Sequence, residues 1–121
     1  IPAVGVPPTS GPAPAGAGTT LAGMEYQLRN YLTEPGCAEQ FATEWLRGVK
    51  PLREAAGFSI EAAWVVPGEN RFVWVMGWGG PGTFSEADAH YYESPARSAL
   101  SPDPARLLVS AEEHHDVRRV V

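Results

Sequence analysis

The sequence has few of the residues that build metal sites, nucleic-acid surfaces or membrane spans. Its 121 residues include one cysteine, Cys37, which excludes an internal disulfide and a multi-cysteine metal site. Lysine occurs once, at Lys50, and the net charge of −5 argues against the basic patch that nucleic-acid binding requires. Nor is there a run of about eighteen uncharged apolar residues, so no membrane span is predicted.

The first 23 residues differ in composition from the rest of the chain. They carry no charged side chain and consist mostly of proline, glycine and alanine. A secretory signal needs a basic start and a continuous apolar core, which the prolines here interrupt. We therefore predict a flexible arm or linker over residues 1–23, a folded domain over residues 24–121 and a cytoplasmic protein. The arm is either a docking segment or upstream sequence.

The first part of the domain predicts a strand followed by a helix. Residues 24–31 alternate in polarity, which is typical of a strand with two different faces. After a turn at residues 33–36, apolar residues recur every three or four positions from Ala38 to Leu52, which predicts an amphipathic helix. Pro51 should kink or interrupt this helix, and Gly57 should end it.

Two apolar strands follow. Residues 58–66 alternate and predict a strand with Phe58, Ile60, Ala62, Trp64 and Val66 on one face. After a turn, residues 71–78 are apolar on both faces, as in the central strand of a sheet that is covered on both sides. Helices of one subunit cover only one face of such a sheet. We therefore predict that a second copy of the chain covers the other face.

A second helix and a last strand complete the pattern. Thr83 or Ser85 can cap a helix that Pro95 interrupts, and the final strand lies within residues 108–121. The polar middle of that strand predicts an edge position. The order βαββαβ predicts an α+β, ferredoxin-like sandwich with an antiparallel four-stranded sheet, in which the first and third strands are central.

Several of these segments together resemble the NIPSNAP family of the dimeric α/β-barrel superfamily. The resemblance covers roughly residues 24–107 and is carried by EYQLRNY followed by EPG, GF at 57–58, AAW at 62–64, NRFVWV at 70–75 and YYESPARSAL at 91–100. It implies a ferredoxin-like subunit whose sheet packs against that of a second copy. The wider superfamily includes cofactor-free monooxygenases, haem-degrading enzymes, polyketide cyclases and small transcriptional sensor domains. If the chain is an enzyme, we predict that it works without a metal or an organic cofactor. The resemblance transfers no catalytic residues.

Aromatic residues are the first candidates for a binding site. Trp64, Trp74 and Trp78 are predicted as walls of a pocket for a hydrophobic or aromatic small molecule. The alternative is that the tryptophans fill the core and the dimer interface.

Polar candidates are fewer. His90 and Glu61 are the predicted catalytic groups, because a histidine or a buried carboxylate can transfer protons near neutral pH. Tyr26 and Arg29 are predicted to bind substrate. Glu61 can instead form a salt bridge with Arg29 or Arg71.

The run from His114 to Asp116 predicts an exposed strand end and not a metal site. Neighbouring strand residues face opposite sides, and the sequence offers no third spaced ligand.

Two functional hypotheses follow. The first is a homodimer that binds a hydrophobic or aromatic small molecule, and that can be a cofactor-independent enzyme of the monooxygenase, cyclase or isomerase type. The second is a non-catalytic interaction or assembly module, in which the apolar sheet face serves association alone.

Overall fold

The computed structural model describes residues 23–121, which form one four-stranded sheet with helices on one side. The strands are β1 (Glu25–Thr33), β2 (Ser59–Val66), β3 (Arg71–Trp78) and β4 (Leu108–Val117). Their order in the sheet is β2-β3-β1-β4, and all neighbours are antiparallel. The predicted βαββαβ fold is confirmed, with β1 and β3 central and β4 at an edge. The predicted arm lies outside the described residues except for its last position.

The first helical segment is interrupted near the predicted proline. Helix α1 (Ala38–Glu44) continues through a π-helical turn (Trp45–Val49) into α2 (Lys50–Ala55). Pro51 lies in the first turn of α2, where its missing N–H is tolerated. Gly57 ends the segment with a φ of 103°, a conformation that glycine adopts without strain.

The second helical segment has a well-defined start. In α3 (Phe84–Glu93), the Thr83 hydroxyl accepts a hydrogen bond from the Glu86 backbone N–H, and the Glu86 carboxylate accepts one from the Thr83 N–H. This reciprocal capping box confirms Thr83 as the cap and satisfies two N–H groups that the helix itself cannot. A short helix, α4 (Pro95–Ser98), and a 3₁₀ turn (Pro104–Leu107) lead to β4.

The inner face of the sheet packs against the helices through aromatic rings. Trp45 from the π-helical turn meets Trp74 from β3 edge to face, with ring centroids 5.2 Å apart. Burying one such side chain stabilises the fold by roughly 1.5–3 kcal/mol. The buried cluster consists of Tyr31, Phe41, Trp45, Val49, Phe58, Phe72, Trp74, Met76, Phe84 and Tyr91.

The outer face of the sheet has no helix over it in residues 23–121, and its apolar side chains cluster on β2 and β3. Val75 of β3 lies between Leu28 of β1 and Ala62 of β2, and Val73 lies between Asn30 and Trp64. Trp64 is 56 % exposed, which is unusual for so large an apolar side chain.

Strand β2 does not present one continuous face. Ile60 pairs with Met76, but Ala62 pairs with Val75, so a β-bulge lies between them. The extra residue of a bulge moves every later side chain to the opposite face. The prediction that Phe58 to Val66 share one face is therefore wrong: Ile60 lies on the inner face, and Ala62 and Trp64 lie on the outer face.

Candidate functional site

A buried ionic cluster occupies the space between the sheet and the helices. Arg29 projects from the middle of β1 onto the inner face and is fully buried. Its guanidinium donates hydrogen bonds to Asp88 Oδ2 at 3.0 Å, to the Tyr92 hydroxyl at 3.1 Å and to the Gln27 side chain. Burial alone would lower the pKa of Arg29, but the neighbouring groups outweigh it and raise that pKa above its ordinary value. Arg29 therefore keeps its positive charge.

A second guanidinium, that of Arg53 on α2, joins this cluster. Arg53 is also fully buried, and its Nη1 lies 2.8 Å from Asp88 Oδ1. The guanidinium lies between two rings, with its carbon 3.8 Å from the centroid of Tyr91 and 4.7 Å from that of Phe58. One carboxylate, Asp88, thus bridges two buried arginines.

Three arginines and three carboxylates lie in or beside this interior. The only other carboxylate that contacts Arg29 among residues 23–121 is Glu113, at 3.6 Å and with 29 % of its side chain exposed. A third arginine, Arg97, lies nearby and is held by both oxygens of Asp103 at 3.0 and 3.1 Å. Each of the three guanidinium groups therefore has at least one carboxylate partner.

A small cavity adjoins the cluster. Its volume is about 20 Å³, and its lining includes the rings of Tyr31, Trp45, Trp74, Tyr91 and Tyr92. A cavity needs at least roughly 10–15 Å³ to hold one water molecule, so this one has room for one or two groups of that size.

The cavity residues carry buried hydrogen-bond donors that lack acceptors. Among residues 23–121, no acceptor bonds to the indole N–H groups of Trp45 and Trp74, to Nε of Arg53 or to Nε of Arg97. A buried donor without an acceptor costs about 1–3 kcal/mol, so native proteins contain few of them. Their concentration around one cavity indicates a site for a ligand with acceptor atoms.

The backbone near the cavity also departs from regular structure. Trp45 and Val49, the two ends of the π-helical turn, both line the cavity. Single π-helical turns inside α-helices occur frequently at functional sites. Gly48 in the same turn allows Leu100 to approach, because a Cβ at position 48 would lie 2.6 Å from a Leu100 methyl carbon.

The Tyr91 hydroxyl remains protonated at neutral pH. Burial raises the pKa of Tyr91, and the positive charges of Arg53 and Arg97 offset this only in part. The hydroxyl is buried and has no hydrogen-bond partner of good geometry within the described chain. Tyr91 therefore adds a hydroxyl group that can donate a hydrogen bond to this region.

The structure divides the predicted site residues between the two faces of the sheet. Arg29 and Trp74 lie on the inner face, in the ionic cluster and at the cavity. Tyr26, Glu61 and Trp64 come together on the outer face, around an open concavity of about 210 Å³. There the Glu61 carboxylate binds Arg119 at 2.9 Å, so its salt-bridge partner is neither Arg29 nor Arg71.

The two predicted catalytic groups lie on opposite sides of the sheet. His90 is exposed on α3, on the helical side of the sheet, whereas Glu61 lies on the opposite side. The structure does not bring them into one site within a single chain. Trp78 belongs to neither concavity, and its indole N–H donates to the Pro81 carbonyl at 3.1 Å.

The remaining polar motif belongs to the edge strand. His115 shares a hydrogen bond of 3.0 Å with Gln27, and His114 lies 3.5 Å from Glu112. Within residues 23–121, no three His, Cys, Asp or Glu side chains are placed to hold a metal ion. None of the helices in that range is long and apolar enough to cross a membrane.

Sequence reasoning missed both of the arginines that accompany Arg29 in the interior site. Arg53 follows Trp45 and Val49 at a spacing of four, so the helical periodicity placed it on the buried face. It was overlooked because a charged residue is normally predicted at the surface. Arg97 had no comparable signal, because its position depends on the distant Asp103 in the loop before β4.

Comparison with solved structures of other proteins supports the fold described above. No protein-family model and no curated protein sequence matches the chain. Solved structures do match. A NIPSNAP family protein from Agrobacterium tumefaciens superimposes with a TM-score of 0.67 and 13 % identity, over 79 % of this chain and 86 % of the other. A NIPSNAP-like domain protein from Burkholderia xenovorans gives 0.63 and 17 %, over 80 % and 86 %.

One match has a described activity. SnoaB, a cofactor-independent oxygenase from Streptomyces nogalater, matches with a TM-score of 0.59 and 13 % identity, over 82 % of this chain and 96 % of the other. At these identities the likeness is one of fold. The predicted resemblance to NIPSNAP proteins is confirmed at that level.

Proposed function

We propose that this chain, which has the fold of NIPSNAP-family subunits, forms a homodimer and binds a small hydrophobic or aromatic molecule in its interior cavity. One observation carries the proposal: buried donors without acceptors surround a cavity lined by aromatic rings. Apolar walls with a few placed polar groups are the usual composition of a small-molecule site.

The size of the cavity limits how a ligand enters. Only one or two water-sized groups fit inside its 20 Å³, so a polar end group is the part that enters. The half-buried lining residues are Tyr92, Arg97, Ala105 and Leu108, which form the solvent side of the cavity. The apolar body of the ligand lies against these residues.

The outer sheet face supports the homodimer. Trp64 and Val66 are exposed there by 56 % and 36 %, beside the apolar Val73 and Val75. Contiguous apolar surface of this kind marks an association site in a soluble protein. A second copy presents the same face, so the contact is self-complementary.

Binding is better supported than catalysis. The buried carboxylate of the cluster, Asp88, is already engaged by Arg29 and Arg53, which suits it poorly to remove a proton. His90 and Glu61 stay predictions for a catalytic role. An oxygenase, cyclase or isomerase activity would be an extension of the proposed binding function, and a cytoplasmic location also stays a prediction.

The filled inner face of the sheet and the concavity on its outer face favour the assembly module as a second candidate function. The inner face is filled almost entirely by the protein's own side chains, and the larger concavity lies on the outer face, where a partner would pack. An assembly module would use that face and leave the interior without a ligand.

A native mass spectrum tests the proposal. The full chain is incubated with a panel of neutral and acidic aromatic compounds, and the mass of the intact complex is measured. We expect twice the 13.0 kDa subunit mass plus the mass of a bound compound. Ala105→Leu, which narrows the cavity, should lose the added mass, whereas Ala99→Leu at an exposed site should keep it. A dimer that retains none of the compounds would favour the assembly module.

A further inference from the structure

We propose that the cavity takes a carboxylic acid with an apolar body, and that Arg53 and Arg97 bind its carboxylate together with the indole N–H groups of Trp45 and Trp74. This inference rests on the proposed function and names the class of molecule that the site accepts. It follows from one juxtaposition: two guanidinium groups and two indoles, each with a buried N–H that lacks an acceptor among residues 23–121, meet at the same small cavity.

The guanidinium donors at the cavity favour an anion. Arg29 and Arg53 share the close carboxylate of Asp88, and Glu113 is more distant and partly exposed. Removing a guanidinium from water is costly unless an opposite charge compensates it. A bound carboxylate would accept hydrogen bonds from the Nε groups of Arg53 and Arg97, which have no acceptor among residues 23–121.

The donors match a carboxylate in number. An ionised carboxyl group has about four acceptor positions. Trp45 Nε1, Trp74 Nε1, Arg53 Nε and Arg97 Nε are buried and lack acceptors among residues 23–121. A guanidinium N–H donates a stronger, charge-assisted hydrogen bond to a carboxylate than to a neutral carbonyl.

The cavity volume distinguishes a carboxylate from larger anions. About 20 Å³ accommodates the two oxygens of a carboxylate but not the four oxygens of a phosphate. The rest of the molecule must lie beside Tyr92 and Leu108 on the solvent side. Both side chains suit an apolar or aromatic body.

Matched pairs of probes test this directly. Isothermal titration calorimetry measures the binding of benzoate, 1-naphthoate and 9-anthracenecarboxylate, and of the corresponding neutral amides, to the full chain at pH 7. We expect the acid of at least one pair to bind about tenfold more tightly than its amide, since a charge-assisted pair is the stronger interaction. Equal affinity within every pair would overturn the inference but leave the proposed function intact. Absence of binding by all six would overturn both.

Variants then connect the preference to the site. Arg53→Met and Arg97→Gln should each remove most of the preference for acid over amide, whereas Arg47→Gln, at an exposed position on the same helical segment, should retain it. Arg97 is only half-buried, so its variant provides the test if Arg53→Met fails to fold. A preference that survives Arg97→Gln in a folded protein would contradict the proposed role of Arg97.

Discussion

The guanidinium of Arg53 lies over the ring of Tyr91, with its carbon 3.8 Å from the ring centroid. Stacking of this kind uses the flat face of the guanidinium and leaves the N–H groups at its edge available. Phe58 approaches at 4.7 Å as a second ring contact. Aromatic contacts thus hold Arg53 in the interior through the face of its guanidinium and not through its N–H groups. A residue that binds an acceptor atom needs N–H groups that remain available.

The first prediction concerns the carboxylate that bridges the two buried arginines. Asp88→Asn removes the negative charge between Arg29 and Arg53 while keeping the shape of the side chain. Breaking a buried ion pair from one side costs about 3–5 kcal/mol, because the remaining charge stays buried. We expect the free energy of unfolding, measured in urea, to fall by about 3 kcal/mol.

Glu54→Gln is the control for this experiment. Glu54 pairs with Lys50 at 2.9 Å on the exposed side of the helix. Such i,i+4 pairs contribute about 0.2–0.5 kcal/mol, so the free energy of unfolding of this variant should be close to that of the wild type. Similar losses for Glu54→Gln and Asp88→Asn would show that the buried bridge has no special role.

The second prediction concerns pH. Burial by itself would raise the pKa of Asp103, but hydrogen bonds from Arg97 and from the Ala105 backbone outweigh it and lower that pKa. The ion pair therefore stabilises the fold at pH values above the unfolded-state pKa of about 3.9, and this stabilisation is lost as the pH falls through the lower folded-state value.

Asp103→Asn isolates that contribution. The difference in unfolding free energy between variant and wild type should be clear at pH 6 and should shrink progressively below pH ~4, as the wild-type carboxylate becomes protonated. Urea unfolding at several pH values measures it. A difference that stays constant down to the acid limit would mean that Asp103 acts through shape and not through charge.

The third prediction concerns the turn that places Phe58 against Arg53. Gly57 has a φ of 103°, and a Cβ there would lie 3.0 Å from the Trp78 ring. Gly57→Ala should destabilise the protein by about 1–3 kcal/mol. Gly68→Ala, where no atom lies within 4 Å of the added carbon, should change stability by less than about 0.5 kcal/mol. Thermal unfolding compares the two, and equal effects would contradict the assigned strain.

The fourth prediction concerns the outer sheet face. Trp64→Glu places a charge in the proposed dimer contact and should convert dimers to monomers in sedimentation velocity at micromolar concentration. Leu46→Glu introduces the same charge at a helical position that is 58 % exposed, and it should leave the dimer intact. A wild-type protein that sediments as a folded monomer would refute the homodimer.

The pattern of side chains predicted the fold better than the site. Periodicity placed the strands and helices, because burial of an apolar face repeats every two or about four residues. It could not predict the bulge after Ile60, which inserts one residue and reverses the faces of Ala62 and Trp64. That single irregularity separates Trp64 from Trp74, with which the sequence had grouped it.

The interior site depends on contacts between distant parts of the chain. Arg29 and Asp88 are separated by 59 residues, and no local spacing indicates that they pair. A charged residue in a sequence is also predicted to lie at the surface, because burial of an unpaired charge is costly. Arg53 was overlooked for that reason, although its spacing from Val49 places it on the buried face.

The four indole N–H signals of the protein give the most direct test of the interior site. In a ¹⁵N–¹H correlation spectrum assigned by Trp→Phe variants, addition of 1-naphthoate should shift the indole signals of Trp45 and Trp74, whose N–H groups have no acceptor in the described chain. The signal of Trp78, which is bonded to Pro81, and that of Trp64 on the outer face should stay in place. A shift confined to Trp64, with Trp45 and Trp74 unchanged, would contradict the proposal that the ligand binds between the sheet and the helices.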